Sequence, residues 1–315
     1  MYARANAAVL TSAEIEQCIK SAILGEVYTT PKPGLVDRHD NGAHHDMNVY
    51  TFERSADAIT PYLAKMFFEG YFWKRNLQNL FPRIRRTGVL AEKAMFRATG
   101  QVNTHKGLIF TMGILSACAG HCYARIRRFD TAEILAFASE MTEKALEADF
   151  FEMSQRTPVT HGEILFQKYK ERGIRGEAQK GFPIIGETAL PLMRQYRAIG
   201  LDENRSNINV LLRIMMELKD TNVWSRGSYA DVIWIQEQAE KIWKPGGAFF
   251  ETGMKKIEKL NQECIRRNLS PGGAADLLAA TLFLYQLEKM IKEKRTWLLK
   301  ILSIFQNQDS GSSAL

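Results

Sequence analysis

Residues 102–120 decide the fold: Val102-Asn103-Thr104-His105-Lys106-Gly107, followed by the apolar run Leu108-Ile109-Phe110-Thr111-Met112-Gly113-Ile114-Leu115-Ser116-Ala117-Cys118-Ala119-Gly120. The run is shorter than the roughly 18 residues of a membrane span, so we expect a helix in the protein core. The opening N–H groups of a helix lack partners within it and carry partial positive charge. Polar residues and a glycine at that end predict an anion or phosphate site. The alternative is an Asn or Thr N-cap beside a solvated lysine.

Helical patterns continue on both sides of this stretch. Thr11 and Glu14 have the spacing of a capping box, and the apolar residues of 131–148 step by three and four along one face. No segment alternates apolar and polar residues as a half-buried strand does. The sequence therefore predicts an all-α protein, a single compact domain of about ten helices over residues 1–295. The last clear helix is predicted to begin at Ser270 and end near Met290.

The C-terminal residues 296–315 differ in composition from the rest. Residues 297–305 are amphipathic and are predicted to pack on the body of the protein or on a second subunit, which makes a homodimer plausible. Residues 306–315 are polar and rich in small side chains, so they are predicted to be disordered.

The overall composition narrows the class of protein. The 315 residues are 45% hydrophobic, which allows a large core, and the net charge of +7 suits anionic ligands. Because the basic residues do not form one stripe, we expect no nucleic-acid partner. The four cysteines are scattered without zinc-ligand spacing, and no export signal pattern opens the chain. We therefore expect reduced thiols, a cytoplasmic location and no membrane partner.

Charged residues gather in loops at the predicted helix boundaries. Two prolines hold Lys32 on a stiff segment just before Asp37 and Arg38. Asp37 and Asp46 are carboxylates of the kind that bind Mg²⁺, and Glu53 follows seven residues after Asp46. Alternatively, these side chains are N-caps and turn formers.

The second half of the chain adds further candidates. His161 can serve as a general base, or it is merely the exposed second residue of the Thr160–Glu163 capping box. The last long helix opens at Ser270-Pro271-Gly272-Gly273, where the glycines are expected to leave the N–H groups open to a phosphate. Asp276 interrupts that apolar helix, so its carboxylate needs a salt bridge or a metal. The chain lacks a Walker-type phosphate loop, which argues against that ATPase class.

At these positions the sequence resembles the triphosphoribosyl-dephospho-CoA synthases. The matching segments run in family order over about residues 20–290. They are Thr30-Pro-Lys-Pro-Gly-Leu-Val-Asp37-Arg38, Gly42-Ala43-His44, Asp46-Met47, Val102-Asn-Thr-His-Lys-Gly107, Arg175-Gly176-Glu177-Ala178, Asp220-Thr221-Asn222-Val223, Ser225-Arg226-Gly227, Asn268-Leu-Ser-Pro-Gly-Gly273 and Ala275-Asp276-Leu277-Leu278.

The resemblance implies an all-α enzyme that joins the triphosphoribosyl group of ATP to the ribose 2′-hydroxyl of 3′-dephospho-CoA and releases adenine. The product is the prosthetic-group precursor for citrate lyase or malonate decarboxylase, which implies a functional link to the holo-acyl-carrier transferase and the acyl-carrier subunit. Mg²⁺ is the expected cofactor.

On this basis the candidate residues fall into three groups. Substrate and phosphate binding is assigned to Lys32, Arg38, Asn103, Thr104, His105, Lys106, Gly107, Arg175, Asn222, Arg226, Ser270, Gly272 and Gly273. Mg²⁺ or charge stabilisation near the ribose is assigned to Asp37, Asp46, Asp220 and Asp276. Glu177 is the first choice for the general base and Glu53 the second, with His161 and Asp37 as further catalytic candidates.

Two other functions compete with this interpretation. An all-α, metal-dependent hydrolase of the ADP-ribosylglycohydrolase type would share the need for carboxylates and Mg²⁺ but would release the ribosyl group into water. A nucleotide- or CoA-binding partner of the lyase assembly would bind ligand without turnover. Simple binding does not require so many charged residues beside glycine loops.

Overall fold

The computed structural model describes residues 10–311, with the side chains of residues 295 and 297–311 excepted. Within that range the chain forms thirteen α-helices and no strand. The helices are α1 Ser12–Val27, α2 Val49–Tyr71, α3 Phe81–Thr99, α4 Lys106–Ile126, α5 Thr131–Gln155, α6 His161–Tyr169, α7 Gly173–Gln179, α8 Leu190–Ala198, α9 Glu203–Glu217, α10 Thr221–Arg226, α11 Tyr229–Trp243, α12 Glu251–Arg266 and α13 Gly272–Gly311.

Helix α4 lies at the centre of the fold. It packs against α2, α3, α5 and α13, and α1 in turn packs against α2 and α13. By length and composition α4 could cross a membrane, but 83% of its most apolar 18-residue window is buried inside the protein. The apolar run that follows Gly107 is therefore a core helix, as its length predicts.

Two glycines bring the backbones of α2 and α4 into contact. A Cβ atom on Gly70 would lie 1.9 Å from the Ala117 carbonyl oxygen, and one on Gly120 would lie 1.9 Å from the Phe67 carbonyl oxygen. No larger residue fits at either position without separating the helices. This close contact joins the last turns of α2 and α4, and at their first turns the Ser55 hydroxyl lies 2.6 Å from His105 Nδ1, just before α4 begins.

The all-α prediction is confirmed, and so is the capping box at the start of α1. The Thr11 hydroxyl accepts a hydrogen bond from the Glu14 N–H, and the Glu14 carboxylate accepts one from the Thr11 N–H. The number of helices was underestimated, because the sequence pattern did not reveal α7, α8, α10 and α12. Three of these are shorter than ten residues, too short to show a clear period.

The C-terminal helix is longer than the sequence predicts. Helix α13 continues past Met290 to Gly311, and residues 312–315 lie outside the described residues, so the disorder predicted for residues 306–315 stays a prediction. Polar composition alone did not show that the helix continues. The expected packing of residues 297–305 on the body or on a second subunit depends on side chains that also lie outside the described part of the chain.

Candidate active site

A cavity of about 590 Å³ opens where the start of α4, the start of α13, the loop after α1 and the end of α10 meet. We call it the central cavity. It brings together most of the residues predicted from the sequence, although they are spread over about 240 positions. Those in its wall are Lys32, Asp46, Asn103, Thr104, His105, Lys106, Gly107, His161, Asn222, Arg226, Ser270, Gly272 and Asp276.

The start of α4 forms one side of the central cavity. The Asn103 side-chain oxygen accepts a hydrogen bond from the Lys106 N–H at 3.3 Å. The structure assigns no acceptor to the N–H groups of Gly107 and Leu108 within the described residues. The Lys106 ammonium lies at the margin, half exposed and 3.2 Å from the Glu92 carboxylate. This end of α4 therefore keeps the open N–H groups and the positive charge that an anion site needs.

His105 is held in the neutral form at the inner end of this wall. Its Nδ1 lies 2.6 Å from the Ser55 hydroxyl, which accepts a hydrogen bond from the Thr104 hydroxyl at 2.7 Å. When the Ser55 hydroxyl donates to Nδ1, the neutral ring carries its own proton on Nε2. That Nε2 is buried and has no partner among the described residues. Burial, aided by the charge of Lys32, lowers the pKa of His105 to about 3.

Lys32 and a carboxylate that the sequence reasoning missed, Glu26, form the floor of the central cavity. The Lys32 ammonium makes an ion pair with the Glu26 carboxylate and donates to the Glu26 carbonyl oxygen at 2.8 Å. The two side chains are only 1% and 6% exposed. Burial raises the pKa of Glu26, and the charge of Lys32 opposes that rise. With these bonds in place, Lys32 is engaged by the protein rather than free to bind phosphate.

Asp276 faces the start of α4 from the first turns of α13. A Cβ atom on Gly107 would lie 2.2 Å from its Oδ2, so only a glycine lets the carboxylate approach this closely. The structure records no hydrogen bond or ion pair to Asp276 from any described side chain. Burial raises its pKa well above the usual range, and the nearby Glu26 and Asp220 raise it further. The cavity wall therefore contains an unpaired carboxyl group with a high affinity for a proton.

Asp220 lies behind the wall and joins two helices. Its Oδ1 accepts from the Asn222 N–H at 2.8 Å, which caps α10, and its Oδ2 accepts from the Ala274 N–H at 3.0 Å, which caps α13. The Gly273 N–H also hydrogen bonds to this carboxylate. The expectation that the Ser270–Gly273 helix start offers open N–H groups is therefore wrong, because Asp220 accepts from Gly273 and the Ser270 carbonyl oxygen accepts from the Gly272 N–H at 2.9 Å.

His44 and Arg226 fix the outer rim. The His44 Nε2 lies 2.8 Å from the Ser270 hydroxyl, and burial together with the nearby Arg226 lowers the pKa of His44 to about 4. The Arg226 guanidinium donates to the carbonyl oxygens of Ala43 and Asn268, so it ties the loop after α1 to the start of α13. Asp46 lines the rim, and its side chain is 63% exposed.

Asp37 and Arg38 lie outside the cavity wall. Asp37 is buried, and its two carboxylate oxygens accept four hydrogen bonds, at 2.8 to 3.1 Å, from the Thr30 hydroxyl and from the N–H groups of Lys32, His39 and Asp40. It therefore shapes the loop that presents Lys32. The Arg38 guanidinium stacks on the Tyr28 ring, 4.1 Å from its centroid.

Three other candidate residues also lie outside the central cavity: Glu53, Arg175 and Glu177. Glu53 accepts a hydrogen bond from the Tyr28 hydroxyl at 2.6 Å. Arg175 is partly buried, and its charge interacts with Asp149 and Glu163. Glu177 lies in α7 near Ile184, where burial raises its pKa. None of the three lines the central cavity, so its geometry gives no support to Glu177 or Glu53 as the general base.

The four aspartates predicted to bind metal do not converge. Among the described residues, no three His, Cys, Asp or Glu side chains form a group that could hold a metal ion. Asp37 and Asp220 use their oxygens in the hydrogen bonds given above, and only Asp46 and Asp276 line the central cavity.

Comparisons with a family sequence pattern and with individual relatives point to the same enzyme family. The sequence pattern of the family described as ATP:dephospho-CoA triphosphoribosyl transferase matches residues 12–295. The chain is 35% identical to the 2-(5''-triphosphoribosyl)-3'-dephosphocoenzyme-A synthase of Escherichia fergusonii, over 89% of this chain and 93% of that protein. It is 38% identical to a protein of Citrobacter koseri named as a probable synthase of the same kind, over 85% and 89%. These relatives give no support to the hydrolase alternative.

A solved structure from Archaeoglobus fulgidus, provisionally assigned as a triphosphoribosyl-dephospho-CoA synthase, also aligns with this chain. The alignment covers 74% of this chain and 97% of the other, with 19% identity and a TM-score of 0.45.

Proposed function

Because the chain belongs to the ATP:dephospho-CoA triphosphoribosyl transferase family, it is an enzyme that makes 2-(5''-triphosphoribosyl)-3'-dephosphocoenzyme-A, and we propose that the central cavity is its active site. In this reaction the bond between the anomeric carbon of ATP and adenine N9 breaks. A bond forms from that carbon to the 2′-oxygen of 3′-dephospho-CoA, and the proton of the hydroxyl leaves with adenine. The protein must therefore hold a triphosphate, accept a proton and stabilise positive charge on the ribose.

The triphosphate is best accommodated at the start of α4. The Gly107 and Leu108 N–H groups are open there, and Lys106 adds a cation at the margin. Neutral His105 is a donor through Nε2, and its lowered pKa keeps it neutral at physiological pH. Donors that are already fixed before the ligand arrives need little reorganisation to bind it.

Asp276 replaces Glu177 as our choice for the general base. It is the carboxylate that lies against Gly107, next to the proposed triphosphate position, and in its ionised form it accepts the proton of the 2′-hydroxyl. In its ionised form it also stabilises the oxocarbenium character that develops when a glycosidic bond breaks. This unpaired carboxyl group beside open helix N–H groups is the observation that supports the assignment most strongly.

Mg²⁺ remains a proposal, and the residues present can accommodate it only in part. Mg²⁺ at phosphate sites keeps several waters and uses one or two carboxylates in addition to phosphate oxygens, so a group of three protein ligands is not required. Asp46 is the exposed carboxylate at the rim that would hold it. The ion would neutralise part of the triphosphate charge.

The biological setting is also proposed rather than established. We propose a cytoplasmic enzyme, with no nucleic-acid or membrane partner, that supplies citrate lyase or malonate decarboxylase through the holo-acyl-carrier transferase and acyl-carrier subunit. A homodimer is proposed from the amphipathic composition of residues 297–305.

The test is mass spectrometry of the protein incubated with ATP, Mg²⁺ and 3′-dephospho-CoA. We expect free adenine and triphosphoribosyl-dephospho-CoA in equal amounts. The Asp276→Asn variant should lose about a hundredfold or more in kcat, the typical contribution of a general base. The matched control is Asp57→Asn, since Asp57 is 60% exposed and makes only a surface ion pair with Lys20. A normal kcat for Asp276→Asn would remove Asp276 from the catalytic role.

A further inference from the structure

A second cavity, of about 630 Å³, adjoins the central cavity. It lies between α6, the loop after α9, the end of α10 and the start of α11, and we call it the aromatic cavity. His161 and Ser225 belong to the walls of both cavities, so the two spaces meet at these residues. A ligand in the aromatic cavity can therefore reach the proposed site of reaction.

Three aromatic rings line the aromatic cavity. Trp224 lies between Tyr169 and Tyr229, with ring centroids 4.9 and 4.7 Å apart and interplanar angles of 32° and 42°. The outer rings are substantially exposed, Tyr169 to 49% and Tyr229 to 43%, so packing in the core does not explain them. Exposed aromatic faces of this kind stack well on nucleotide bases.

Two lysines in the same wall add positive charge. The Lys168 ammonium lies 5.1 Å from the centroid of the Tyr169 ring. The Lys219 side chain is 57% exposed, and its ammonium is 3.9 Å from the Glu171 carboxylate, a long and weak ion pair. Both cations are therefore available to a phosphate group.

We propose that the aromatic cavity binds the acceptor substrate, with the adenine of 3′-dephospho-CoA against the three rings and its pyrophosphate near Lys168 and Lys219. This inference rests on the proposed function. The reacting 2′-hydroxyl is on the carbon next to the one that bears the adenine, so the acceptor's base must lie close to the site of reaction. The shared wall at His161 and Ser225 satisfies that requirement.

The lysines distinguish this assignment from its main rival, in which the aromatic cavity holds the adenine of ATP. The triphosphate of ATP is proposed to lie at the start of α4, in the central cavity. ATP would then bring only an uncharged base to the aromatic cavity and would leave both cations without a phosphate. A second phosphorylated nucleotide uses the rings and the cations together.

The proposal also predicts which part of the acceptor His161 contacts. It is exposed at the start of α6, in the wall shared by the two cavities, where the acceptor ribose would pass from one to the other. Its place there fits contact with the acceptor ribose better than the role of general base predicted from the sequence.

The test measures KM for each substrate in Tyr229→Ala and Lys219→Gln variants, by adenine release at saturating concentration of the other substrate. We expect KM for 3′-dephospho-CoA to rise about tenfold in Tyr229→Ala, within the range found for loss of one stacking contact. It should also rise in Lys219→Gln, which removes a cation from the pyrophosphate, while KM for ATP stays unchanged in both variants. The matched controls are Phe72→Ala, which removes an aromatic ring that is 70% exposed, and Lys241→Gln, which removes a cation that is 65% exposed. Neither residue lines the two cavities.

Three results would overturn the inference. A rise in KM for ATP alone would assign the aromatic cavity to the adenine of ATP. A similar rise for both substrates, or unchanged KM for both, would show that the cavity does not select the acceptor. These results require an active wild-type enzyme. A wild-type protein that forms no triphosphoribosyl-dephospho-CoA would instead refute the proposed function.

Discussion

Replacing Lys32 by methionine tests the buried ion pair in the floor of the central cavity. The change keeps the volume of the side chain but leaves the Glu26 carboxylate, only 6% exposed, without its cation. Asp37 and Asp276 are close enough to interact with Glu26 by charge, and both are carboxyl groups. Removing one partner of a buried pair typically costs about 3–5 kcal/mol. We therefore expect the free energy of unfolding to fall by about that amount at neutral pH.

The loss of stability in the Lys32→Met variant should grow as the pH rises. Burial raises the pKa of Glu26 in the folded protein above the value of 4.5 that it has in an exposed chain, and removing Lys32 raises it further. Between those two pKa values the folded state binds more protons than the unfolded state, so stability falls as the pH rises. The variant should thus be close to wild type below pH 4.5 and increasingly destabilised above it.

Urea unfolding followed by tryptophan fluorescence, at a series of pH values, measures both effects. The matched control is Lys20→Met, whose ion pair with Asp57 is exposed and should contribute less than about 1 kcal/mol. The double variant Lys32→Met with Glu26→Gln should recover much of the loss, because no buried charge remains. A loss below 1 kcal/mol at neutral pH, or one that does not grow with pH, would refute the assignment of a buried ion pair.

Two further variants test the helix starts. Gly107→Ala should fold, because the displaced group is the end of the Asp276 side chain, but it should lower kcat by moving that carboxylate. Gly88→Ala in α3, where the nearest atom would be 3.7 Å away, is the control and should keep full activity. Equal kcat values in the two variants would contradict the role of Asp276. Asp220→Ala should lower the free energy of unfolding by roughly 2–3 kcal/mol, since it removes caps from α10 and α13, whereas Asp202→Ala, which caps α9 alone, should cost about 1 kcal/mol. Equal losses in urea unfolding would show that the second cap contributes nothing.

The start of α4 could be predicted from the sequence because the whole signal is local. Residues 103–107 and the apolar run after them are contiguous, and helix geometry alone leaves N–H groups such as those of Gly107 and Leu108 without a partner inside the helix. Glu26 was missed, although a local signal for it exists. It follows Ile19, Ala22 and Ile23 at helical spacing on the buried face of α1, so a charge at that position predicts a buried partner.

The roles of Asp220 and Glu177 could not be predicted in the same way. Asp220 caps a helix whose capped residue, Ala274, is 54 positions further along the chain, and no local pattern reveals such a contact. The glycines and charges around Glu177 favour a functional role, but the local sequence does not show which neighbouring residues the side chain of a short helix contacts. The fold directs Glu177 to Ile184 and away from the central cavity.

The distribution of charge in the central cavity argues that the cavity serves a ligand rather than the stability of the fold. Glu26, Asp220 and Asp276 are carboxyl groups whose pKa values are raised by burial, and Lys32 is the cation that the structure pairs with one of them. Apolar side chains of similar size would often stabilise a protein as well or better. A cavity that instead keeps an unpaired carboxyl group beside the open N–H groups of α4 holds negative and positive groups in adjacent fixed positions. That arrangement suits a substrate whose phosphates are anionic while its reacting ribose becomes cationic.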